Sequence, residues 1–179
     1  WIHVRHEEVA AFAASAEAQL SGNLAVCCGS SGPGNLHLIN GLFDAHRNHA
    51  PVLAIASHIP QSQVGMEYFQ ATHPEQLFKE CSAYAELVSE ASQAPCILMS
   101  AIQHAWARRD VGVVVLPGDI ADAPAEMKNL VHPPSYTREN VVPEHESVSL
   151  LARMLDDHRR ITFFCGAGCA GAEDKVVRL

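Results

Sequence analysis

The sequence contains no apolar run approaching the ~20 residues that a bilayer-spanning helix needs, and its opening residues, WIHVR, do not make a signal peptide. A cytoplasmic protein is expected. Clustered basic charge is also scarce: no group of Lys or Arg exceeds the pairs Arg108-Arg109 and Arg159-Arg160, and the formal net charge is -8. Nucleic acid and anionic membrane are therefore disfavoured as partners, and a small molecule is expected instead. The six cysteines, Cys27, Cys28, Cys81, Cys96, Cys165 and Cys169, include no CxxC pair and lie mostly in apolar runs, which favours buried thiols over a disulfide frame or a zinc site. Eleven histidines are scattered without the spacing of metal ligands, so no metal site is expected in the chain.

What is present is an apolar fraction of 48% against 18% charged residues in a chain of 179, enough for one ordinary domain with a core and the start of another. The organising stretch is Leu24 to Ser57. Leu24 to Cys28 and Val52 to Ala56 are short continuous apolar runs of the kind that form strands covered on both faces, which is the habit of parallel sheets. Between them Gly29, Gly32, Pro33 and Gly34 allow a sharp turn into a helix whose free N–H groups aim at the same place, a natural ligand site. No Lys-Ser or Lys-Thr follows, so this is not a Walker A loop, and its spacing is not G-x-G-x-x-G. On its residues alone the loop is equally a tight turn without a ligand.

Taken in order, Trp1 to Arg5 reads as the tail of a strand, and the domain is expected to lack its first strand and helix. His6 to Gly22 is predicted helical, with Val9, Phe12, Ala13, Ala16 and Leu20 as its apolar face. His58 to His73 has neither helix nor strand period and is expected to be a long functional loop. Pro74 to about Glu80 is a short helix, Tyr84 to Val88 a short strand, Ala94 to Arg109 a helix and Val111 to Leu116 a strand. This alternation predicts an α/β fold, a parallel sheet with helices on both faces. Residues 123–143 read as a proline-rich linker. Beyond it, 144–179 begins a second Rossmann-like α/β domain: a helix from Glu144 to Asp157, a strand from Ile161 to Cys165, then a G-x-G-x-x-G match at Gly166, Gly168 and Gly171. That second domain is expected to be cut short.

Glu7 stands at a junction leading into a helix, on the same sheet edge as the Gly32 loop if the strands are parallel, so a carboxylate and a glycine turn share one crevice. An apolar crevice would disfavour its charged form and let it share a proton with a heterocyclic nitrogen. The simpler reading is that Glu7 and Glu8 complement the helix dipole.

The segments RHEEVAAFAASAEAQLSG, GSSGPGNLHLINGLFDAHRNHAPVLAIASHIP and YFQATHPEQLFKECSAY resemble, in that order, the pyrimidine-binding domain of thiamine diphosphate-dependent enzymes. The similarity runs from Arg5 to about Asp119 and resumes at FFCGAGCAGA; it favours the pyruvate oxidase, or quinone-dependent pyruvate dehydrogenase, branch. Acetolactate synthases share the helix Glu and the GPG loop but usually carry a Gly-Gln pair where this chain has Ser57-His58-Ile59-Pro60. Ala71 departs from many relatives, which carry Glu there.

The resemblance implies that residues 1–122 form the pyrimidine-binding domain of the thiamine diphosphate fold, with Glu7, Gly32, Pro33, Gly34 and Asn35 against thiamine diphosphate. Glu7 would bond the pyrimidine N1′ and promote the imino tautomer, whose nitrogen takes the thiazolium proton; His37, Phe69 and Gln70 would lie near the substrate. Gly166, Gly168 and Gly171 would approach FAD. Magnesium would be held by a further domain with a GDG motif, which Gly118-Asp119 does not supply. The implied activity is oxidative decarboxylation of pyruvate to acetate and carbon dioxide with a quinone acceptor, in a homo-oligomer whose subunits share the site and expose an apolar dimer face. The resemblance further places any peripheral membrane attachment in a C-terminal segment outside this sequence, and predicts that the 179 residues alone are inactive. An acetolactate synthase-like carboligase, or a non-catalytic binding module, are the alternatives.

Overall fold

The computed structural model describes residues 1–124 and 141–178. The chain divides into two compact units, Trp1–Glu139 and Asn140–Leu179. Most of the expected linker, 123–143, lies outside the described residues.

The first unit is a four-stranded, all-parallel sheet in the order β1-β2-β4-β3, formed by β1 (Ala25–Gly29), β2 (Val52–His58), β3 (Tyr84–Leu87) and β4 (Val111–Pro117). The two central strands are nearly continuous apolar runs because both of their faces are covered. Successive residues divide between two clusters. Val113 and Val115 join Leu38, Leu42, Phe78 and the alanines of the first two helices, whereas Leu53 and Val114 meet Ala101, Ile97 and Ile102 on the other side. Helices therefore cover both faces, as the alternating elements predict.

Helix α1 (Glu7–Ser21) begins where His6 Nδ1 accepts the Glu8 N–H at 3.3 Å, and ends at Gly22, whose φ of +73° closes the last turn onto Ala18 O. Helix α2 (Pro33–Arg47) opens with proline at its first position, where the missing N–H costs nothing. Short α3 (Pro74–Leu77), α4 (Ala94–Arg108) and short α5 (Gly118–Ala121) complete the unit. At the C-terminal end of α2, His46 Nδ1 hydrogen-bonds Asp110 Oδ1 at 2.7 Å, and the same oxygen accepts the Val111 N–H, tying that helix to the entry of β4.

Three expectations are corrected in this unit. Trp1 to Arg5 form no strand, and Trp1 is fully open to solvent. The buried face of α1 is Ala11, Ala14, Ser15 and Ala18, while Val9, Phe12 and Leu20 are exposed, Leu20 by 88%. The reason is close helix approach: a Cβ at Gly41 of α2 would fall 2.5 Å from Ala11 Cβ and 2.6 Å from Phe12 N, so only small residues fit between α1 and α2. Ser15 Oγ donates to Asp44 Oδ2 at 2.7 Å across the same seam. Finally, the thiols are not uniformly buried: Cys27 and Cys81 are, but Cys96 is exposed.

His58, at the end of β2, is buried and its Nδ1 has no partner; burial holds its pKa below the ordinary 6.5, with Glu75 opposing and His73 reinforcing the shift. A base whose folded pKa is depressed favours folding while neutral, and that contribution is lost as pH falls from about 6.5 through the folded value. Thermal unfolding of a His58→Asn variant is therefore expected to change less between about pH 7 and about pH 5 than that of the parent. Equal pH dependence in the two proteins would contradict this.

In the second unit α6 (His145–Asp156) and short α7 (Glu173–Arg178) are formed, with a single 3-10 turn at Ala167–Cys169. The strand expected over Ile161 to Cys165 is not formed, and none of the unit's described residues is buried. A strand needs a neighbour to receive its N–H and C=O groups, and the described residues of this unit offer none. Among all described residues no helix is long and apolar enough to cross a membrane.

Candidate active site

Because every strand is parallel, the loops leaving β1, β2 and β4 gather at one sheet edge, the usual place for a ligand in such folds. The first of them, Ser30 to Gly32, carries the chain from β1 into α2, and α1 sets its first residue beside it. Glu7 is that residue. Its Oε1 accepts from Ser30 Oγ at 3.2 Å and its Oε2 hydrogen-bonds His37 Nδ1 at 3.2 Å, so one carboxylate bridges the glycine loop and the second turn of α2. The side chain keeps 29% exposure, enough to meet a ligand.

Gly34 explains why this approach is possible. A Cβ there would collide with Ser30 Oγ and come within 2.8 Å of Glu7 Oε1, so the cradle exists only because that position has no side chain. Gly32 has a φ of +67°, and a Cβ on it would fall 2.7 Å from Gln70 Cβ. The loop after β2 thus returns over the glycine turn and seats Gln70, itself at φ +66°, against Gly32. Asn35 is completely buried: its Nδ2 donates to Ser57 O at 2.8 Å, which fastens the start of α2 to the end of β2, while Oδ1 has no protein partner. An orphaned acceptor beside a side-chain-free cradle suits a polar, flat group that can donate a hydrogen bond.

The electrostatics correct one expectation. Glu7 does not sit in an apolar crevice that keeps it protonated; its pKa lies below the ordinary 4.5. The main cause is its own amide N–H at the helix start, then the His37 hydrogen bond; burial opposes, and Ser30 and the electrostatic effect of His37 add to the lowering. At neutral pH the group is an ionised acceptor. Burial first, then the Glu7 charge, raises the pKa of the Cys28 thiol at the end of β1.

Of the site residues expected from sequence, Glu7, His37, Gly34 and Asn35 share this neighbourhood, and Pro33 opens the helix that carries the last three. Gln70 reaches Gly32 but Phe69 stands 81% exposed, and among the described residues no hydrogen bond or ring contact joins either to Glu7. Ser30 and His6 were not anticipated. The His6 ring stacks on His37 with centroids 4.2 Å apart, so it backs the imidazole that faces Glu7. Ser30 carries a legible signal, since it directly follows β1 in the GSSGPG run; His6 carries only its adjacency to Glu7.

Cofactor fit differs between the two units. The Gly34 cradle, the ionised Glu7 and the free Asn35 oxygen fit a heteroaromatic ring with ring and exocyclic nitrogens, as in the pyrimidine of thiamine diphosphate. By contrast, a Cβ at Gly166, Gly168 or Gly171 would touch nothing, and no strand precedes them, so the described residues build no cradle for FAD. Among the described residues no group of three or more His, Cys, Asp or Glu could hold a metal.

Residues 1–78 match the family model described as thiamine pyrophosphate enzyme, N-terminal TPP binding domain. Over 180 residues the chain is 57% identical to a protein of Pseudomonas amyloderamosa described as an uncharacterized 42.6 kDa protein in the isoamylase 3′ region, covering 100% of this chain and 46% of that protein. It is 34% identical over 181 residues to the pyruvate oxidase of Lactiplantibacillus plantarum, covering 100% of this chain and 30% of the relative. Acetolactate synthase 2, chloroplastic, of Zea mays is 31% identical over 178 residues, 97% of this chain and 28% of that protein. The chain spans less than half the length of each of these relatives.

Proposed function

We propose that the whole protein, of which residues 1–78 match the thiamine pyrophosphate enzyme N-terminal domain family, is a pyruvate dehydrogenase (quinone) that converts pyruvate to acetate and carbon dioxide, using thiamine diphosphate, magnesium and FAD. The observation that carries the thiamine part is the Glu7 carboxylate held at 3.2 Å from both Ser30 and His37 over the Gly34 cradle. Thiamine diphosphate, when bound, supplies the electron sink needed to decarboxylate a 2-oxoacid.

The residues of this chain then have definable tasks. Glu7, ionised, accepts a hydrogen bond from a ring nitrogen and holds the proton there. His37 and Ser30 fix which way the carboxylate points, and His6 limits rotation of the His37 ring. Asn35, buried beneath the turn, fastens the start of α2 to the end of β2, and Gly32 with Pro33 sets the α2 N-terminus beside the site. Gln70, which lies against Gly32, and its neighbour Phe69 are assigned to the pyruvate side on the family resemblance. The FAD part of the reading rests on the G-x-G-x-x-G pattern of Gly166, Gly168 and Gly171 alone, since the described residues there build no cradle, and magnesium is assigned to a part of the protein outside this chain. Val9, Phe12 and Leu20, uncovered on α1, support a homo-oligomer.

The second reading is an acetolactate synthase, favoured by the 31% identity to the Zea mays enzyme. Products formed from pyruvate by the full-length protein, supplied with thiamine diphosphate, magnesium and FAD, separate the two. Acetate with reduction of an added quinone is expected. Acetolactate without quinone reduction would transfer the assignment to the synthase.

A further inference from the structure

The loop between β2 and α3 carries Phe69 and Gln70, and it contains no regular element longer than the single 3-10 turn Gln61–Gln63. From Val64 to Ala71 every residue is exposed. Its conformation is nonetheless specific. The Ala71 N–H closes a turn onto Tyr68 O at 2.9 Å, with Phe69 and Gln70 as the two central residues. Gln70 has a φ of +66° at the position where a type II turn favours glycine, and Glu67 has a φ of +51°. Non-glycine residues persist in the left-handed region only where their surroundings hold them there. One end of this loop is held by Gly32, against which Gln70 packs.

The other end is held from β4. Strands β2 and β4 run side by side as far as the pair His58↔Pro117, so the loops that leave them start next to one another. Asp119, just past that pair, turns its carboxylate onto the neighbouring loop: the Gln61 N–H is shared between its two oxygens, at 3.2 and 3.1 Å. The same carboxylate is oriented by its own chain, since Oδ1 also accepts the Ile120 N–H at 3.1 Å. Gln61 Nε2 adds a second tie, donating to Ser89 O at 2.7 Å. From this foot a series of main-chain bonds runs on into the loop, Gln63 N–H to Pro60 O, Val64 N–H to Gln61 O and Met66 N–H to Gln63 O. A hydrogen bond accepted by a carboxylate is stronger than a neutral one, which suits Asp119 to fix the start of that series. We propose that Asp119 is a positioning residue: through the Gln61 N–H it fixes the foot of the loop, and with it the place of Phe69 and Gln70 beside the glycine turn. The effect on substrate rests on the pyruvate reading; the effect on the loop does not.

Asp119→Ala and Asp119→Asn variants of the full-length protein test it with two readouts. Amide hydrogen exchange reports the loop without reference to activity. In Asp119→Ala the amides of Gln61, Gln63, Val64 and Met66 are expected to exchange about tenfold faster than in the parent, the worth of about one net hydrogen bond, while β2 and β4 keep the parent's rates and so show the fold intact. Asn keeps an oxygen that accepts from Gln61, so Asp119→Asn should recover most of the protection. Steady-state turnover of pyruvate reports the substrate side. KM is expected to rise about tenfold in Asp119→Ala with kcat held within about twofold, and to return towards the parent value in Asp119→Asn. Loop exchange unchanged in Asp119→Ala would overturn the proposal. So would an Asn variant that exchanges as fast as the Ala variant, because the effect would then belong to the charge and not to the bond. Faster loop exchange with the parent's KM would remove the positioning role. If the parent does not turn over pyruvate, the pyruvate reading fails, and the exchange rates alone decide whether Asp119 holds the loop.

Discussion

Replacing Glu7 by Gln in the full-length protein is expected to lower pyruvate turnover by about 10²–10⁴-fold, the usual worth of a positioned acid–base group. The substitution is nearly isosteric, and Ser30 can still donate to the amide oxygen, so the fold should survive. What is lost is the negative charge that favours protonation of a ring nitrogen. The loss should therefore appear in turnover while thermal stability at neutral pH changes little. The sign of the acid dependence follows from the depressed pKa: the parent keeps an ionised Glu7 until pH falls below the ordinary 4.5, and only there should protonation of this group begin to matter. Unchanged turnover in the Glu7→Gln protein would remove Glu7 from the chemistry and leave it as a helix-dipole partner.

Replacing Gly41 by Leu is expected to destabilise the protein by about 3 kcal/mol, at the upper end of the usual cost of overpacking. The first new atom alone would meet Ala11 Cβ at 2.5 Å, Phe12 N at 2.6 Å and Ala11 C at 2.8 Å, and two of those three are backbone that cannot rotate away. Helices α1 and α2 would have to separate. Since α1 carries Glu7 and α2 carries His37, separation also pulls apart the pair that defines the site. A Leu20→Ser protein provides the contrast, because Leu20 is largely exposed and its replacement should alter stability by less than about 0.5 kcal/mol. Denaturant midpoints of the two variants would distinguish them, and equal midpoints would refute the tight seam.

These two positions show what the sequence carries and what it does not. The strands at Val52 and Val111 were legible because a strand buried on both faces must be apolar without interruption. The glycine turn was legible as a turn, and Glu7 and His37, singled out through the family resemblance, do come together in the structure. The buried face of α1 was not. In a helix where alanine occupies several faces, the large residues Val9, Phe12 and Leu20 give the stronger periodic signal, yet contact with Gly41 is decided by size and not by hydrophobicity. The ionisation of Glu7 was likewise hidden, because it depends on an imidazole and a hydroxyl brought from 30 and 23 residues away. At Ile161 to Cys165 the composition suited a strand, but a strand is made by its neighbours and the described part of that unit supplies none.

The order of the strands also bears on how the molecule reaches its structure. β2 lies between β1 and β4, but only the β1 contact can form early, since α2 alone separates those two strands in the chain. The β2–β4 ladder, Val52↔Val111 to His58↔Pro117, joins segments between which β3 and α4 must first be looped out. Closing that loop costs chain entropy before any contact rewards it. Folding is therefore expected to be limited by capture of β4, with the β1-α2-β2 segment, and with it the glycine turn, assembled ahead of the sheet's completed centre.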